Sequence, residues 1–121
     1  MHKLILGENL GAYMCGIFGC VGKCQTLPIL INGLELLEYR GYDSAGVAYF
    51  KDNAVHVVKK VGKVNVLKNS LDFSQTSNCG IAHTRWATHG KPSEKNCHPH
   101  ISGKFCLVHN GIIENYSDLK K

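Results

Sequence analysis

The pair Asp52-Asn53 lies between two runs of β-favouring residues, Val47-Ala48-Tyr49-Phe50 and Val55-His56-Val57-Val58. Two such runs joined by two turn-forming residues specify a hairpin, because a tight turn with positive φ matches the right-handed twist of the strands it joins. The chain is thereby committed to an antiparallel pair, and an all-helical fold is excluded. Upstream of the hairpin the apolar period changes. Leu27, Leu30, Ile31, Leu34 and Leu37 recur at helical spacing, Thr26 is placed as an N-cap, and Pro28 falls in the first turn, where its missing N–H costs little. A helix over 27–38 is predicted, with Gly33 marking either a weak point or a close packing contact.

The remaining elements follow from the same signals. Cys15 to Val21 is a short apolar run punctuated by Gly16 and Gly19 and bounded by Gly22, suited to a buried strand that lets backbone or ligand approach. Residues 39–44 form a loop that ends the helix. Val64, Leu67 and Leu71 predict a short helix, and 72–78 reads as polar linker. Gly80 to Thr84 is a strand running into Arg85-Trp86-Ala87-Thr88-His89-Gly90, followed by a proline-containing loop over 91–99. Phe105 to Val108 is a strand that delivers His109-Asn110-Gly111, and a further helix begins at Ile112 with Asn115 or Ser117 as cap. Helices mixed with antiparallel strands in 121 residues define one small α+β domain, able to bury about two-thirds of its unfolded surface.

Composition narrows the class of protein. Apolar residues make up 44% and charged residues 19%, too hydrophobic a balance for disorder. No run approaches the roughly 20 apolar residues of a membrane span, and the apolar stretch Leu4-Ile5-Leu6 is too short for a secretory signal. Six cysteines without such a signal fit a reduced, cytoplasmic chain. The net charge of +5 is spread along the chain; it forms no nucleic-acid footprint but suits a small anionic ligand.

Three groups carry candidate chemistry. A cysteine that becomes the first residue, as Met14-Cys15-Gly16 permits, joins an α-amine of pKa about 7.7 to 8.0 to a thiol of pKa about 8.5, so one residue supplies nucleophile and base; otherwise Cys15 is a small buried hydrophobe. Arg85, Thr88 and His89, leaving one strand end together, can converge on a carboxylate through the guanidinium's two parallel hydrogen bonds; singly, each fits an ordinary surface contact. Asn110-Gly111 is a common turn pair, and equally an amide and a backbone N–H able to stabilise an oxyanion. Cys15, Cys20, Cys24, His98 and His100 lack the paired spacing of structural zinc, so no metal is expected.

Taken together, Cys15 to Gly19, Leu37 to Gly46, Gly80 to Glu94, His98-Pro99-His100 and Val108 to Asn115 closely resemble the glutamine-hydrolysing domain of the glucosamine-6-phosphate synthases, a class II glutamine amidotransferase domain. The resemblance runs over 15–121. It implies an N-terminal nucleophile (Ntn) hydrolase fold, an αββα four-layer sandwich of antiparallel sheets, here incomplete. It implies that Cys15 attacks the side-chain amide of glutamine, that Asn110 and Gly111 form the oxyanion hole, and that Arg85, Thr88 and His89 hold the substrate. Trp86 is implied as the gate for ammonia, with Arg40 and Gly41 supporting the nucleophile's terminus. Ammonia would pass to fructose 6-phosphate in an isomerase domain beyond Lys121, as the first step of hexosamine and UDP-N-acetylglucosamine synthesis. No cofactor, nucleic acid or membrane is implied, and members of the family form homo-oligomers.

Two departures shape the expectations. The aspartate that binds the glutamine α-amine in this family lies beyond residue 121, and only about the first half of the domain is covered, so its sheets would lack several strands and the chain is expected to be poorly folded and essentially inactive by itself. Residues 1–14 precede the cysteine as an extension or propeptide; either Met14 is the true start and is trimmed, or the segment is removed later. The amidotransferase of purine synthesis, which can carry such a leader, is the competing enzyme reading, and an inert gene remnant is a third.

Overall fold

The computed structural model describes residues 2–4, 15–23, 25–40, 43–86, 93–111 and 113–120. Along these the elements are β1 (His2–Leu4), β2 (Gly16–Val21), α1 (Thr26–Leu37), a 3-10 turn (Glu38–Arg40), β3 (Ser44–Lys51), β4 (Ala54–Val61), α2 (Val64–Asn69), β5 (Cys79–Arg85), β6 (His100–Ser102), β7 (Phe105–Leu107) and α3 (Tyr116–Leu119). Five strands form one sheet in the order β1-β2-β5-β3-β4, and β6 pairs with β7 in a separate two-stranded sheet. Every pairing is antiparallel. The architecture is therefore a mixed one with antiparallel sheets, as expected of an α+β chain.

The hairpin β3-β4 closes through Asp52 and Asn53 at φ 54° and 60°, the left-handed pair that a two-residue turn between twisted strands requires. Sequence patterning placed the first strand of this hairpin too late. Ser44, Ala45 and Gly46 pair on one side with Val61, Lys60 and Lys59 and on the other with Arg85, Thr84 and His83, so small and polar residues enter the strand because both its edges are hydrogen-bonded.

Register then sorts side chains by face. Phe18, Ala82 and Val47 stand in one row across β2, β5 and β3. Against this face pack Leu27, Leu30, Ile31 and Leu34 of α1 and Val64 and Leu67 of α2, all fully buried. Gly33 is the close contact anticipated for it. A Cβ there would meet the Phe18 ring, with Cδ1 at 2.5 Å. Gly46 answers to the opposite face, where a Cβ would run into the His98 carbonyl and come within 3.0 Å of the Pro99 ring. The segment 97–99 therefore lies flat on the sheet beneath the future site.

Several expectations are corrected. Thr26 is the first residue of α1 rather than its cap; Gln25 holds the cap position without a side-chain bond, and the Thr26 hydroxyl instead donates to the Ser77 carbonyl at 2.7 Å. The helix expected from Ile112 is the short α3, whose cap residue Asn115 makes no side-chain bond; Ile112 lies outside the described residues. β1 was not foreseen in the upstream extension, nor β6 after the proline loop. β1 carries too few residues to show a period, and it exists by pairing His2, Lys3 and Leu4 with Val21, Cys20 and Gly19.

Gly33→Ala tests the packing. Helix propensity alone would make alanine more stable by about 1 kcal/mol, whereas forcing a methyl against a buried ring costs about 1–3 kcal/mol. Urea unfolding of the variant is expected to show a lowered midpoint, with Asn32→Ala on the exposed side as control; a raised midpoint for Gly33→Ala would contradict the contact.

Candidate active site

The antiparallel pairing of β2 with β5 sets Gly16 opposite Thr84, and Gly16 N–H donates to the Thr84 hydroxyl oxygen at 3.2 Å. Cys15, one residue before the strand, is carried to the point where β5 ends. There the Trp86 N–H faces the Cys15 sulfur at 3.5 Å, and the thiol reaches the Trp86 carbonyl at 3.9 Å. From the other side the Asn110 amide donates through Nδ2 to the Cys15 carbonyl at 2.8 Å. Trp86 and Asn110, far apart in sequence, thus meet at one half-buried residue, Cys15.

Gly111 follows with φ 128°, and a Cβ would lie 3.4 Å from Cε1 of His109. Glycine is suited to that backbone conformation, which side chains rarely adopt. An asparagine amide carries two N–H donors. One is held by the Cys15 carbonyl.

Of the other expected residues, Arg85 ends β5 and hydrogen-bonds through its carbonyl to the Asp43 N–H at 2.8 Å. Its guanidinium charge is felt by His83, His98 and His100. Arg40 closes the 3-10 turn after α1. Gly41, Thr88 and His89 lie outside the described residues. Among the described residues no group of three or more histidine, cysteine or acidic side chains is arranged to hold a metal ion.

Sequence reasoning assigned no role to His83 or His109 and weighed His98 and His100 only as metal ligands. His83 is buried on the sheet face opposite α1 and hydrogen-bonds through Nε2 to both Asn110 Oδ1, at 2.9 Å, and the His109 carbonyl, at 3.1 Å. Its ring stacks on His98 at 4.3 Å and 22°, and His98 meets His100 at 4.3 Å and 55°. His98 Nδ1 accepts the His109 N–H at 3.2 Å. The available signal was position: in Ile81-Ala82-His83-Thr84 a titratable ring alternates onto an interior row.

Burial is the main cause of the histidines' electrostatics. It pushes His83 down to about 4 against the opposing pull of its bonds to Asn110 and His109, with Arg85 and His100 adding to the depression. His98 falls to about 3, first through burial and then through the charges of His83, His100, Arg85 and His109. His100 is lowered by burial, Lys59 and Arg85. All three rings are held in their neutral forms near pH 7.

No family model matches the chain. Among curated proteins it is 56% identical over 109 residues to glutamine–fructose-6-phosphate aminotransferase (isomerizing) of Oceanobacillus iheyensis, covering 88% of this chain and 18% of that one. The enzyme of the same name from Streptococcus agalactiae serotype III is 56% identical over 110 residues and that of Bacillus subtilis 53%, each match covering 89% of this chain and 18% of the relative. These matches fall in one class, the aminotransferases. The chain is homologous to an N-terminal part of glutamine–fructose-6-phosphate aminotransferase, and it spans about 18% of the length of these curated relatives.

A pH dependence follows from the neutral rings. An unfolded histidine titrates near 6.5, whereas His83 and His98 do so at about 4 and about 3 in the fold. Between those values and 6.5 the unfolded chain binds more protons, so stability is full above about pH 6.5 and falls as pH drops toward the folded values. Imidazole NMR signals of both residues are expected to remain those of the neutral ring from about pH 8 down to about pH 5, and His98→Asn to flatten the acid limb of the stability profile. Titration of either native ring near 6.5 would contradict the assignment.

Proposed function

We propose that residues 15–121 are the first part of a glutamine-hydrolysing Ntn-type domain that supplies ammonia for making glucosamine 6-phosphate from fructose 6-phosphate. The observation that carries this is that one residue, Cys15, receives the Trp86 N–H at its sulfur and the Asn110 amide at its carbonyl, in a chain that matches enzymes named for glutamine and fructose 6-phosphate. In this reading Cys15 Sγ attacks the δ-carbon of glutamine and its own α-amine takes the thiol proton. The carbonyl electrons move onto oxygen, where the second Asn110 N–H and the Gly111 N–H would receive them. Collapse expels the amide nitrogen, which leaves as ammonia with the proton from the amine. Water then cleaves the γ-glutamyl thioester to glutamate and restores the thiol.

The surroundings take the roles implied by the resemblance. Arg85 with Thr88 and His89 would bind the α-carboxylate, Trp86 would gate the ammonia, and Arg40 and Gly41 would support the terminus. The five-stranded sheet with α1 and α2 on one face supports a reading as half of an αββα sandwich. Its other face bears Ile17, Ala48, Val57 and Ile81, residues suited to a second sheet. Fructose 6-phosphate and homo-oligomer contacts would belong to further domains. Among the described residues Cys15, Cys20, Cys79, Cys97 and Cys106 are thiols outside any disulfide, which supports a reduced, cytoplasmic setting.

The same chemistry requires the amine of Cys15, and in this chain a peptide bond to Met14 occupies it. We place residues 1–14 as an extension that must be absent from the active form. The test is a chimera in which residues 15–121 replace the matched stretch of the Oceanobacillus iheyensis enzyme. With Cys15 as first residue it is expected to release glutamate from glutamine. Cys15→Ala should lower that rate at least about 1,000-fold, and restoring residues 1–14 should silence it as well. A Cys15→Ala chimera as active as its parent would overturn the reading.

A further inference from the structure

Two rings stacked on each other, His83 and His98, bind the backbone of His109 at its carbonyl and its N–H. His98 Nδ1 accepts its N–H at 3.2 Å, and His83 Nε2 is 3.1 Å from its carbonyl oxygen. The same His83 nitrogen is 2.9 Å from Oδ1 of the next residue, Asn110. These contacts determine where each proton sits. The Cys15 carbonyl can only accept, so the Asn110 atom 2.8 Å from it must be the donor Nδ2, which leaves Oδ1 toward His83. His83 Nε2 therefore faces two acceptors and must carry the ring proton. Its Nδ1 is then an unprotonated atom, buried and without a hydrogen-bond partner among the described residues. His98, accepting through Nδ1, carries its proton on Nε2.

We infer that His83 and His98 form a stacked positioning pair that locks His109 and turns the Asn110 amide so that its N–H₂ end faces the reacting centre. His83 chooses which end of the amide points at Cys15, and His98 holds the backbone on which that amide is mounted. Neither ring need touch substrate; both are positioning residues. An amide free to turn over would present Oδ1, a repelling dipole, to a developing oxyanion. The catalytic part of this inference rests on the proposed glutamine hydrolysis, whereas the orientation of Asn110 does not.

The experiment accordingly has two arms. In the 121-residue protein, long-range ¹⁵N NMR is expected to show His83 protonated on Nε2 and His98 protonated on Nε2, with the Asn110 side-chain amide giving two sharp, widely separated proton signals. His83→Leu should collapse that separation, and His83→Gln, which retains a donor at similar reach, should keep it. A wild-type His83 protonated on Nδ1, or Asn110 signals unmoved by His83→Leu, would overturn the inference; the wild-type measurement decides even if a variant fails to fold. In the chimera that hydrolyses glutamine, His83→Leu should lower kcat roughly 10- to 100-fold with KM within about two-fold, and His83→Gln should recover most of it. Equal losses for both variants would also overturn it. If the parent chimera hydrolyses no glutamine, the functional reading fails and the NMR arm still decides the positioning.

Discussion

Everything at the site depends on how β2 registers against β5. Gly16 opposite Thr84 brings the residue before β2 to the residue after β5, so the thiol of Cys15 meets the peptide of Trp86 without any side chain reaching across. A slip by one residue would turn Phe18 and Cys20 away from α1 and expose them. The register is thus held by the same burial that builds the core, and the site inherits its precision from packing on the far face.

The two faces of the sheet divide the labour. Toward α1 the row is apolar, and the contact beside Cys15 from Gly16 N–H to the Thr84 hydroxyl is buried and satisfied. At its site end the other face carries a network built from segments far along the chain: Pro99 over Gly46, His98 over His83, and Asn110 against Cys15. Buried polar networks are tolerated when each member finds a partner. Here an exception is informative, because His83 Nδ1, a buried ring nitrogen without a hydrogen-bond partner among the described residues, is the atom that must be unprotonated for the rest of the network to hold.

How much of this was legible varies with the range of the interaction responsible. The hairpin at Asp52-Asn53, the helix after Gln25 and the strand before Arg85 are local patterns, and they were read to within a few residues. Gly33 was flagged as a possible close contact because glycine inside a helix needs a reason, but the reason, the Phe18 ring, comes from another element. Cys15 and Asn110 were read as reactive groups from a pattern of neighbours. The histidine pair was not, since nothing local marks His83 as stacked on a ring fifteen residues away or as bonded to a side chain in another loop. Likewise β1 has no pattern of its own and exists only by pairing with β2.

Which part of Cys15 anchors the site bears on the upstream residues. Asn110 is docked on the carbonyl of Cys15, and the Trp86 N–H on its sulfur; neither contact uses the amine. A peptide bond to Met14 therefore leaves both contacts in place, and the arrangement of the Cys15 thiol, the Trp86 peptide and the Asn110 amide is already assembled in the extended chain. Under the proposed chemistry the extension withholds one thing, the proton acceptor. Its strand β1 lies along β2 from Gly19 to Val21, at the end of the strand away from Cys15, so removing it would expose an edge without disturbing the contacts that orient Asn110.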